Sequence, residues 1–197
     1  MVNIVGSIDH LTITSLEEIA ISVVQPNYSP PLIPHGFHWR KEISGAYYWF
    51  LYELSKRQKF ELMVELGLCS GASALMLALG NTEGKVRSID INPQFDVINS
   101  LSLVAPNIRV QSEDSIEASR HPNLYDSEIG LLFLDTEHNE QHVLSEYIAW
   151  SPFVKHGGII LIDDIEWSRP AWDKLPEPKI ELPDLHPQVG FGALIKI

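Results

Sequence analysis

Residues 60–93, FELMVELGLCSGASALMLALGNTEGKVRSIDINP, read as strand, glycine turn, helix and second strand. The apolar run Leu62–Leu66 has the length of a buried parallel strand. Gly67 and Gly71 break it before the helical run Ala74–Leu79, and Lys85–Ile89 is a second strand ending in Asp90. Glycine lets the backbone approach a ligand closely, and the first amides of the following helix are unpaired donors, so the turn is a candidate ligand site. An acid at the end of the second strand can accept two ribose hydroxyls.

The spacing separates nucleotide types. A dinucleotide fingerprint requires G-x-G-x-x-G, whereas this turn is Glu65-x-Gly67-x-x-x-Gly71-x-Ser73. That pattern resembles the first motif of class I S-adenosylmethionine-dependent methyltransferases, with Asp90 in the place of their ribose-binding acid. On this resemblance the cofactor-binding candidates are Glu65, Gly67, Ser70, Gly71, Ser73 and Asp90. The plain alternative is a tight turn with no ligand.

The 197 residues, 45% of them hydrophobic, can bury one substantial core. The net charge of −12 would repel a phosphate backbone and an anionic membrane surface alike, which argues against nucleic-acid and membrane partners. The single cysteine, Cys69, cannot form an internal disulfide, and no run is long and apolar enough for a signal peptide or a membrane span. A reducing, cytoplasmic setting is the expectation. Cys69 lies inside the glycine turn, as a reactive thiol or simply as a small residue that the turn tolerates.

Residues 1–42 read as an N-terminal strap or lid: the apolar run Leu11–Val24 is followed by Pro26, Pro30, Pro31 and Pro34, which forbid regular structure there. Tyr28, Phe37, His38 and Trp39 give this segment an amphipathic surface to pack near a pocket or a second subunit. Residues 43–197 form the single main domain. It opens with a helix over Ile43–Gln58 whose aromatics belong to the core, with Ser44 and Gly45 at its start bordering the ligand turn.

After Asp90, a helix over Phe95–Leu103 and a strand over Ile108–Gln111 lead to Ser112-Glu113-Asp114-Ser115. Asp114 and Ser115 are candidates for the adenine edge, a carboxylate for the exocyclic amine and a hydroxyl or amide for a ring nitrogen. Ser112, followed by Ser115, Ile116 and Glu117, also suits a helix N-cap, and both roles are compatible. Glu128–Asp135, EIGLLFLD, is nearly all apolar, as a central parallel strand must be, and runs into Asp135-Thr136-Glu137-His138. A helix over Gln141–Val154, ended by Gly157-Gly158, precedes a fifth strand, Ile159–Ile162, closing in Asp163-Asp164.

In an alternating, right-handed α/β fold both strand ends lie at the carboxyl edge, so Asp135, Glu137, Asp163 and Asp164 converge. Like charges on strands about 5 Å apart raise one another's proton affinity unless a cation neutralises them. All-oxygen ligands suit magnesium first, then manganese or calcium. The alternatives are helix caps, or binding of the sulfonium. His121, His156 and His186 carry no spacing that suggests a metal site, and His142 reads as a packed or solvated helix residue.

LLFLDTEHNEQH, the Trp150–Pro152 step and VKHGGIILIDD resemble the last core motifs of metal-dependent small-molecule O-methyltransferases of the macrocin and novobiocin sugar-methylating type, and of the related cephalosporin-hydroxylase-like family. The resemblance implies a Rossmann-like, doubly wound, mostly parallel seven-stranded sheet with an antiparallel C-terminal hairpin, the class I methyltransferase fold. It implies metal ligation by Asp135, Asp163 and Asp164 and a general base at Glu137, with His138 orienting the loop or serving as the base itself. Thr136 stands where the family has glycine, and Glu137 is one methylene longer than the family aspartate. Trp167 and Trp172 form either an acceptor wall or a cover for the sheet edge, Ile180–Leu182 suits an edge strand, and Gly190–Ile197 is the last strand.

The expected activity is transfer of a methyl group from S-adenosylmethionine to a hydroxyl of a small molecule, assisted by Mg2+ (or Mn2+/Ca2+); the resemblance and the aromatic N-terminal segment suggest a homodimer. Metal-free methylation of nitrogen or a carboxylate, and non-catalytic cofactor binding, are the competing readings.

Overall fold

A computed structural model describes residues 11–33, 45–121, 127–176 and 178–197. The glycine-turn unit folds as its pattern dictates: β1 (Leu62–Leu66), α3 (Ala72–Gly80) and β2 (Lys85–Asp90), preceded by α1 (Ile13–Val24) and α2 (Ala46–Gln58). Then come α4 (Phe95–Val104), β3 (Ile108–Ser112), α5 (Ser115–Ala118), β4 (Ile129–Leu134), α6 (Glu140–Trp150), β5 (Val154–Asp163), α7 (Arg169–Lys174), β6 (Lys179–Glu181) and β7 (Phe191–Ile195). The strands form one seven-stranded sheet in the order β3-β2-β1-β4-β5-β7-β6. β1 to β5 pair in parallel, and β7 lies antiparallel between β5 and the edge strand β6. This is the expected doubly wound sheet with its C-terminal hairpin.

β1 and β4 are buried along their whole length, because helices cover both faces. On one face α1 to α4 pack around Met63, Leu131 and Phe133; on the other, Val64, Leu132 and Ile160 meet Val143 and Trp150 of α6 and Trp172 of α7. The switch in strand order falls between β1 and β4, so the carboxyl ends of β2, β1, β4 and β5 share one edge.

Two expectations change, and a third, left open, is decided. Residues 13–24 are a helix: Thr12 caps it, accepting the Ser15 amide at 3.1 Å, and Leu16, Ile19, Ala20 and Val23, at helical spacing, enter the same core as α2. The prolines act only downstream of Gln25. The strap reading of residues 1–42 can be followed only there, since 1–10 and 34–44, with Pro34, Phe37, His38, Trp39 and Ser44, lie outside the described residues.

Second, the helix after β4 stops at Trp150, passing into a 3-10 turn over Ser151–Phe153 where Pro152 has no N–H to continue the ladder. Gly157 and Gly158 therefore do not end it; they lie inside β5. There Gly157 (φ 75°) sits where the register against β4 shifts, its amide donating to the Lys196 carbonyl at 2.8 Å. Third, Trp172 is buried against β7, where a Cβ on Gly192 would lie 2.5 Å from its ring, and its indole donates to Glu181 at 2.9 Å. It covers the sheet, as the plainer of the two sequence readings had it.

Candidate functional site

The carboxyl edge holds a cavity of about 410 Å³, within the usual range for small-ligand sites, lined by Gly67, Cys69, Asp90, Ile91, Asp114, Ser115, Asp135, Thr136, Glu137 and His142. Gly67 (φ 93°) turns the chain where β1 passes β4; a Cβ there would stand 1.9 Å from the Asp135 carbonyl oxygen. Only glycine lets these two strand ends lie so close. Asp90 ties the turn to β2: Oδ2 accepts the amides of Leu68 (2.9 Å) and Cys69 (3.1 Å), and Oδ1 accepts the amide of Asn92 (2.8 Å). Ile91, 71% exposed, presents an apolar side chain at the cavity beside Asp90, which the sequence reading did not single out.

Asp114 is itself the N-cap of α5, where Ser112 had been the expected cap. Its Oδ1 accepts the amides of Ile116 (2.9 Å) and Glu117 (3.0 Å) while the residue lines the cavity. Glu65, Ser70, Gly71 and Ser73 do not line it. Gly71 (φ 79°) is the N-cap of α3, and Ser73 is buried in its first turn. Glu65 is fully buried beneath the turn and accepts a hydrogen bond from Ser88. Burial pushes its pKa up to about 7, against the pull of hydrogen bonds from Ser73 and Ser88. Its position makes it a support of the turn rather than a wall of the cavity.

Asp135 joins the cavity to an acidic cluster. Burial first, then the charges of Asp163, Glu65, Asp164 and Glu146, hold its carboxyl well above the usual range. Asp163 and Asp164 are buried at the end of β5. Glu137, expected among the converging carboxylates, is instead exposed at the cavity wall. The additional acids near Asp135 are Glu65 from below and Glu146 from α6, neither of which the spacing had pointed to as part of that group.

Glu146 is fully buried and gathers three elements: it accepts from Ser115 Oγ (2.6 Å) and Thr136 Oγ1 (2.8 Å), and lies 3.2 Å from His142 Nε2. Thr136 thus has a task that the glycine it replaces could not perform. Burial raises the Glu146 pKa, opposed by these hydrogen bonds.

Two histidines approach the aspartates. His138 Nε2 lies 3.0 Å from Asp164 Oδ2, its ring edge-on to Trp167 with centroids 5.6 Å apart. His186, from the β6–β7 connection, places Nδ1 2.9 Å from Asp163 Oδ1 and stacks on Tyr47. Both imidazoles are raised above 6.5, His138 chiefly by its bond to Asp164 and His186 chiefly by its bond to Asp163. His186 was set aside on sequence spacing; no local pattern joins it to residues more than twenty positions earlier.

These residues fit a divalent cation. Asp163, Asp164 and His186 each offer a ligand atom, all within 4.8 Å of one another, and Asp164 Oδ1 is buried without a hydrogen-bond partner. The cavity fits a nucleoside in its hydrogen-bonding groups, with an acid at the end of β2, another just beyond β3, and the apolar side chain of Ile91 in its lining. Among the described residues no helix is long and apolar enough to cross a membrane.

The family model described as a methyltransferase domain matches residues 64–165, more than half of the chain. Comparison with curated proteins returns no match. Among solved structures, the chain is similar to the O-methyltransferase TomG from Streptomyces achromogenes in complex with SAM (14% identity, 97% of this chain and 93% of that one, TM-score 0.65). It is also similar to cofactor-bound Rv0187 from MTB (16%, 93% and 88%, 0.64) and to an O-methyltransferase from Bacillus cereus in complex with SAH (16%, 94% and 92%, 0.62). At these identities the structural likeness establishes the fold.

Proposed function

The chain belongs to the methyltransferase-domain family, and from that premise we propose that it transfers the methyl group of S-adenosylmethionine to a hydroxyl of a small molecule, with a divalent ion at the acidic cluster. One observation carries this reading: a nucleoside-sized cavity and a cluster of two buried aspartates and a half-buried histidine meet at Asp135, at a single sheet edge. The cofactor supplies an electrophilic methyl carbon on its sulfonium. Asp90 and Asp114 would hold its ribose and adenine, and Ile91 would lie along the base. Asp135, Asp163 and Asp164 would hold the ion, which when bound lowers the pKa of an acceptor hydroxyl.

Glu137 is the proposed base, because it lines the cavity and is exposed to an incoming hydroxyl. His138 is engaged with Asp164 and would orient that carboxylate. The net charge of −12 disfavours a polyanionic acceptor. The test follows methyl transfer to a catechol or a glycosidic diol, with and without chelator. Loss of transfer on chelation, restored by divalent ion, is expected; transfer that chelation leaves unchanged removes the ion from the mechanism.

A second reading has an observation of its own. The His138–Asp164 and His186–Asp163 pairs can neutralise the aspartates with protons instead of a metal, which suits metal-free methylation of an amine or carboxylate. Chelator-resistant transfer to such acceptors is its signature.

A further inference from the structure

The ligand set expected from sequence was three aspartates, yet the side chain that closes the cluster is an imidazole. His186 Nδ1 lies 2.9 Å from Asp163 Oδ1 and 3.7 Å from Asp164 Oδ1. Atoms sharing one ion through bonds of about 2.1 Å stand roughly 3 Å apart when at right angles, so these separations suit a common ion. Asp164 Oδ1 is the independent sign of a ligand: on a residue only 8% exposed, it has no hydrogen-bond partner, while Oδ2 on the same carboxylate is held by His138. A buried carboxylate oxygen left without a donor is costly unless a cation meets it.

The fold holds His186 in this position. Leu182 and Leu185 are buried on either side of the turn, the Gly190 amide donates to the His186 carbonyl at 2.8 Å, and the ring stacks on Tyr47 with centroids 5.0 Å apart.

We infer that His186 joins the aspartates as a protein ligand of the ion, completing with Asp163 and Asp164 a set that Asp135 borders, and making this a site for a divalent transition ion in preference to magnesium. The inference rests on the reading above that an ion occupies this cluster, and adds the nitrogen ligand and its consequence. Magnesium favours oxygen ligands and keeps its water, whereas manganese, iron, cobalt and zinc accept an imidazole beside carboxylates. The C-terminal hairpin thereby supplies a ligand, through a connection outside the region that the methyltransferase-domain model matches.

The test uses chelator-stripped full-length protein. Mn2+ binding is followed by loss of the free-ion EPR signal, Mg2+ by competition, and nitrogen ligation by electron spin-echo modulation of the bound Mn2+. Expected are Mn2+ binding at least about tenfold tighter than Mg2+, 14N modulation in the native protein, and in His186→Gln loss of that modulation with affinity for Mn2+ lower by at least about tenfold. The modulation in the native protein does not depend on any variant folding. Modulation that survives His186→Gln and disappears in His138→Gln assigns the nitrogen to His138 and overturns the inference. Equal binding of both ions, without nitrogen modulation and unchanged in His186→Gln, overturns it while leaving an all-oxygen ion site intact. No ion bound at millimolar metal overturns the inference and the metal-dependent reading together, while methyl transfer remains separately measurable.

Discussion

Glu65→Gln tests whether the acid beneath the glycine turn is held protonated by the fold. Glu65 is completely buried, and burial is the largest influence raising its pKa from 4.5 to about 7. Between those values the folded chain keeps a proton that the unfolded chain releases, so stability falls as pH rises. At 1.36 kcal/mol per unit, the difference corresponds to about 3 kcal/mol, fully present below pH 4.5 and lost by the time the pH has passed 7. Glutamine has no proton to lose, and its amide oxygen can still accept from Ser88. Urea unfolding of both proteins from pH 4.5 to 8 should show the variant gaining about 3 kcal/mol relative to the native chain across that range. The double difference cancels the other titrating groups. Parallel curves, or a variant that loses ground as pH rises, would refute the reasoning and mean that the turn rests on an ionised carboxylate.

Gly67→Ala should cost at least about 2 kcal/mol in denaturant unfolding and abolish binding of S-adenosylmethionine by calorimetry, since φ is 93° and the new Cβ would meet the Asp135 carbonyl at 1.9 Å. Glu146→Ala should cost about 3 kcal/mol by stranding the Ser115 and Thr136 hydroxyls in a new void, whereas Glu146→Gln, which keeps one acceptor, should cost about 1–2 kcal/mol; equal costs would deny the network a role. In metal-free protein, NMR titration should place the midpoints of His138 and His186 above 6.5. The stability these imidazoles contribute should be complete below pH 6.5 and disappear as pH rises through their raised values, with His138→Gln/His186→Gln flattening that fall. Asp90→Ala should weaken S-adenosylmethionine binding by at least about tenfold, because it removes the proposed ribose acceptor and frees the Leu68 and Cys69 amides together.

The local patterns were enough to read the sheet: all-apolar Leu62–Leu66 and Ile129–Leu134 specify strands covered on both faces, and Gly67 and Asp90 mark the turn and the strand end that border the cavity. Helix limits near glycine and proline were less legible. Gly157 serves a bulge as readily as a helix end, and the prolines after Gln25 hid α1 although its apolar spacing was regular.

What the sequence by itself determined is the alternation of strand and helix, and with it the shared edge that gathers Asp90, Asp135, Asp163 and Asp164, because periodicity and turn chemistry act over a few neighbouring residues. Only the tertiary structure decided that Glu65 lies beneath the turn, that Glu146 binds Ser115 to Thr136 from within a helix, and that His186 returns to Asp163 through the last hairpin. Those placements follow from packing between distant segments, where closure of the chain and burial of apolar neighbours set the position of a polar atom and no local spacing records it.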